Sequence, residues 1–102
     1  NFFVNAQQTA VYQHKNTVFD EALWMYNEQQ YLAAQKLFEQ AKLFSREMDY
    51  TKADAYNGLL MVYQTRLESK DTSSAQKQTL ESKITECIKK RDLINNALHR
   101  RQ

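Results

Sequence analysis

The chain has 102 residues, with 14 Lys and Arg against 12 Asp and Glu, for a formal charge of +2. Its single cysteine, Cys87, excludes an intrachain disulfide and a cysteine-rich zinc site. One glycine and no proline leave too few turn residues for a multi-stranded β protein. No apolar run approaches the roughly 20 residues that carry a helix across a bilayer. The expected fold is therefore all-α, and the length fits one domain or a piece of one.

Residues 1–16 admit two readings. Phe2, Phe3, Ala6, Ala10 and Val11 could form an amphipathic helix. Alternatively, Phe2 to Ala6 has the form of the end of a secretory apolar region, with Val4 and Ala6 at the small-residue cleavage positions. The second reading implies the periplasm or cell envelope, and the first is compatible with the cytoplasm. Beyond them, residues 17–102 read as one helical domain.

The first secure helix is expected from about Thr17 to Glu28, because Val18, Phe19, Ala22, Leu23 and Tyr26 recur at spacings of three and four. Thr17 and Asp20 have capping-box spacing, and Asp20 and Glu21 suit the positive end of the helix dipole. The polar stretch Asn27 to Gln30 makes a tight connection into a second helix, about Tyr31 to Met48. Ala34, Leu37, Phe38, Ala41 and Phe44 or Ser45 line one face of it, with Met48 a turn further on. So short a turn predicts an antiparallel hairpin over residues 17–48.

A third helix is expected to begin near Asp49 or Thr51, where Thr51 and Asp54 repeat the cap spacing. Tyr56, Leu59, Leu60, Tyr63 and Leu67 form its stripe, and Met61 and Val62 widen it. Gly58 inside this helix costs roughly 1 kcal/mol relative to Ala, which points to a close helix–helix contact there. Ser69 to Ser74 is the most loop-like stretch, with Asp71, Thr72 or Ser73 as the next cap. The fourth helix, about Ala75 to His99, carries Leu80, Ile84, Cys87, Arg91, Ile94 and Leu98 at alternating steps of four and three. It completes a degenerate second hairpin over residues 50–99. Its length predicts an overhang that offers a surface to something else.

Tyr31, Ala34, Phe38 and Ala41 together resemble the second helix of a tetratricopeptide repeat, and the run Ala55 to Tyr63 resembles the start of a following repeat. Val18 stands where that family usually has Trp, and Leu60 where it has a small residue. The same Tyr31 to Ala41 pattern, with Leu80 to Ile88, is also similar to the second and third helices of microtubule-interacting-and-trafficking domains. The first resemblance implies stacked hairpins that bind a peptide or helix in a groove. The second implies a closed three-helix bundle that binds helical tails.

Little in the sequence suggests chemistry. His14 and His99 are far apart, no metal-ligand spacing or glycine-rich phosphate loop occurs, and Cys87 falls on an apolar stripe. The expectation is a protein without catalytic, cofactor or metal residues, whose partner is another protein, an oligomer or a larger assembly. Candidate partner contacts are Tyr12, Trp24, Met25, Met61 and Val62, which lie off the main stripes. Residues 83–102 hold six Lys and Arg against two acidic residues, so this end is +4 and the remainder −2. Lys89, Lys90, Arg91, Arg100 and Arg101 form a candidate basic patch. No aromatic side chain is interleaved with those cations, which argues against a nucleic-acid stacking platform.

Overall fold

The computed structural model describes residues 17–46 and 48–100, so the readings of residues 1–16, Tyr12 and His14 among them, and of Arg101 lie outside the described residues. Among the described residues there are four helices and no strand: α1 (17–27), α2 (Tyr31–Phe44), α3 (Tyr50–Glu68) and α4 (Ser74–Arg100). The all-α expectation holds.

Helix α1 is already running at Thr17 and ends in a hydrogen-bonded wrap from Met25 to Gln30. The Gln30 amide donates to Met25 O at 2.8 Å and the Gln29 amide to Tyr26 O at 2.9 Å. That pairing is a Schellman motif, and Gln29 fills its left-handed position with φ 62°. The reversal sends α2 back along α1. Phe19 meets Phe38 edge to face at 5.6 Å, and Tyr26 meets Tyr31 in the same manner at 5.4 Å.

Helix α2 stops at Phe44, a turn short of the expected Met48. Ser45 is extended (φ −80°, ψ 150°), and its amide and hydroxyl both donate to Ala41 O, the hydroxyl at 2.6 Å. Such a local hydroxyl bond competes with further helix. Phe44, expected on the buried face, therefore sits on the last turn with 77% of its surface exposed. Helix α3 then starts from Asp49, not from a Thr51–Asp54 box. The Asp49 carboxylate accepts from the Thr51 amide at 3.1 Å and the Thr51 hydroxyl at 2.9 Å.

Helix α3 is the centre of the protein. Ala53, Ala55, Tyr56, Gly58, Leu59, Leu60, Val62 and Tyr63 are all buried, more than half of its circumference, and Asp54, Asn57, Gln64 and Glu68 form the exposed strip. A helix apolar on so many sides is one with neighbours on several sides. Here α2 packs along it on one side and α4 on another, while α2 and α4 do not pack on each other. Helix α1 reaches α3 as well, through the Tyr26 hydroxyl and Thr65 Oγ1 at 2.8 Å.

Among the three candidate caps for α4, Ser73 takes the role. Its hydroxyl accepts from the Gln76 amide at 3.2 Å, and Gln76 Oε1 accepts from the Ser73 amide at 3.0 Å. This is a reciprocal capping box. Leu80, Cys87, Ile94 and Leu98 are buried against α3, with Ile84 and Arg91 half-buried between them, as the stripe predicts. At the N-terminal end of α4 residues 74–79 are all exposed, with Ala75, Gln76 and Thr79 beside Arg66 of α3.

Candidate functional site

The separation of α2 from α4 leaves a groove over α3, walled by α4 on one side and by Lys42 of α2 on the other. Its middle is a cavity of about 110 Å³ lined by Lys42, Tyr56, Leu59, Tyr63, Lys83, Glu86, Cys87 and Lys90. The Lys42 ammonium lies 5.6 Å from the Tyr56 ring centroid and that of Lys83 5.9 Å from the Tyr63 centroid. Both contacts are within cation–π range. Lys90 pairs with Glu86 at 2.9 Å on the surface of α4. Helical geometry places Lys83, Glu86 and Lys90 at i, i+3 and i+7, on one edge of α4.

Burial governs the titration of the groove floor. It pushes the Tyr63 hydroxyl up to about 12, reinforced by the Glu39 carboxylate beside it. Burial also raises Tyr56 and the Cys87 thiol, although Lys42, Lys83 and Lys90 all pull the thiol the other way. A thiol that is raised and buried is poorly suited to act as a nucleophile. The three lysines are thus close enough to be felt at one point on the floor. Among the described residues, no three His, Cys, Asp or Glu side chains converge into a metal-holding group. His99 is exposed near the end of α4.

Of the partner-contact candidates, Val62 is corrected outright: it is fully buried and belongs to the core, because α3 is covered on that side too. Met25 and Met61 are half-buried and rest against the same core. Trp24 is 62% exposed on α1. The basic patch separates as well. Arg91 is half-buried and spans two helices, donating to Asn57 Oδ1 of α3 at 3.0 Å and contacting Asp92 at 3.2 Å. Lys90 joins the groove, while Lys89 and Arg100 are exposed.

Sequence reasoning missed Lys42, Lys52, Lys83 and Leu93, each a single residue on a stripe that looked solvated. The Lys83, Glu86 and Lys90 spacing was the one available signal. A larger open depression of about 630 Å³ lies between the α1–α2 turn and the α3–α4 loop, and shares Arg66 and Gln76 with a smaller one that reaches Lys83. Its charged lining, Arg66, Glu68 and Asp71, has no dominant sign. Comparison of the chain with family models, with curated proteins and with solved structures gives no match.

Proposed function

We propose that the chain is a non-catalytic protein–protein interaction module, built of tetratricopeptide-repeat-like helical hairpins, which binds a partner peptide or helix in the groove over α3. The observation that carries this reading is the position of α4. It stacks beyond α3 and leaves α2 uncovered on that side. A closed bundle of the microtubule-interacting-and-trafficking kind would instead lay its last helix along the second. Stacking on the preceding helix alone is the habit of helical repeats, where each unit touches its neighbours and open grooves run between them. Such grooves accept an extended or helical segment.

The test is site-specific photo-crosslinking in extracts of the source cell. Crosslinkers at Lys83 and Leu93 face the groove, and those at Lys36 and Ser82 are exposed outside its lining. A partner is expected to be trapped from the first pair and not from the second. Trapping only from Lys36 or Ser82 would overturn the reading.

A further inference from the structure

From the lining of the groove we infer that its occupant is an acidic segment of another protein, with a large apolar side chain adjoining its carboxylates. The inference rests on the groove being the docking surface. Three depressions follow one another beside α4. The first, about 310 Å³, lies between Arg66, Leu80 and Lys83. It shares Lys83 with the central cavity, which in turn shares Tyr56 and Lys90 with a third of about 270 Å³. The run from Arg66 to Lys52 along α3 is about 21 Å at helical rise. An extended segment of roughly six residues, or about four helical turns, covers that length.

The charge along this run is predominantly positive, although Glu68 and Asp71 lie just beyond its Arg66 end. Its lining includes the cations Lys42, Lys52, Arg66, Lys83 and Lys90, and Glu86 is the one carboxylate among the lining residues. Glu86 is already paired with Lys90, and Glu39 stands nearby at the Tyr63 hydroxyl. Half-buried Lys42 and exposed Lys83 lie within cation–π range of tyrosine rings of the floor, which places both ammonium groups beside the groove. Beyond Lys90 the character changes. Met48 and Leu93 are 42% and 58% exposed and flank Ile94 and Tyr56. Carboxylates therefore belong at the centre and an apolar anchor at the Met48 end, where burying it supplies affinity that charge alone does not.

Fluorescence anisotropy of the full chain with three labelled peptides of about ten residues tests this assignment. The first peptide has four Glu followed by Leu-Phe, the second replaces Glu by Gln, and the third replaces Leu-Phe by Ala-Ala. The first is expected to bind at least about tenfold more tightly than either other, and to weaken as salt rises from about 50 to about 300 mM. The Lys42→Ala/Lys83→Ala double variant and Leu93→Ala should each lose about fivefold or more in affinity, with Lys36→Ala unchanged and all variants melting cooperatively. Equal binding of the Gln peptide, or tighter binding of single-stranded DNA that ignores Leu93→Ala, would overturn the inference. So would failure of the acidic peptide to bind at about 1 mM. If the Lys83 and Leu93 crosslinks persist in that case, the interaction module stands and only the partner's chemistry is wrong; if they vanish, both fall.

Discussion

Gly58 lies directly against the Phe38 ring: a β-carbon built on Gly58 would come within 2.8 Å of Phe38 Cγ, and closer still to Cδ1 and Cε1. The ring is fully buried and carries Phe19 on its edge, so α1, α2 and α3 meet at this one side chain. The close contact expected from a glycine inside a helix is thus met, and its cause is specific. Any larger residue at position 58 would displace the ring that joins the three helices.

Gly58→Ala should therefore destabilise the protein despite the better helix propensity of alanine. Overpacking costs about 1–3 kcal/mol, and the propensity gain of roughly 1 kcal/mol offsets part of it. The expected net loss is about 0–2 kcal/mol, toward the upper end because the ring cannot clear the added carbon without moving, read in urea unfolding. Phe38→Ala should cost about 3–5 kcal/mol. Combining Gly58→Ala with Phe38→Leu should cost less than the sum of the two changes, because the smaller side chain vacates the clash. A Gly58→Ala protein more stable than the parent would show that the ring is elsewhere.

Gln29 carries the positive φ that closes the α1–α2 turn. A side chain in the left-handed region costs roughly 1 kcal/mol that glycine avoids. Gln29→Gly is expected to raise stability by about 0.5–1 kcal/mol, read as a higher melting temperature. Gln29→Val, branched at the same position, should lower it. If the two substitutions behaved alike, the turn would not have this geometry.

The helices were legible because their signals are local. Stripes at three and four, a polar turn and a serine cap each depend on neighbours a few residues away. The end of α2 was not legible, since Leu43, Phe44 and Met48 continue the apolar pattern while the Ser45 hydroxyl ends the helix. Val62 was misplaced for a related reason. Periodicity gives one buried stripe, but α3 has neighbours on several sides, which is a tertiary fact. The groove was hidden because Lys42, Lys52 and Lys83 come from three different helices and line one run of depressions only once α4 has stacked on α3.

The capping box at Ser73 and Gln76 holds a stretch with no buried side chain, since residues 74–79 are all exposed. Ser73→Ala should cost about 1 kcal/mol. Its larger effect should be local, with faster amide hydrogen exchange across residues 74–79. The amides of Ile84, Cys87 and Ile94, on the stripe packed against α3, should keep their protection. Slowing or no change at residues 74–79 would show that the cap is not formed.

Tyr63 makes the protein sensitive to alkali. Its hydroxyl is raised from 10.0 to about 12 by burial and then by Glu39. Between those values the unfolded chain gives up the proton more readily than the folded one, so stability is fully present below about pH 10 and is lost as pH rises toward 12. Burial raises Tyr56 and Cys87 in the same direction. Tyr63→Phe removes the ionising group and keeps the ring, so its stability should decline less steeply above pH 10 than that of the parent, with a residual slope from Tyr56 and Cys87. Denaturant titrations across this range provide the comparison. Parallel pH slopes for the two proteins would mean that Tyr63 ionises as freely in the folded state as in the unfolded chain, and hence that the groove floor is open to water.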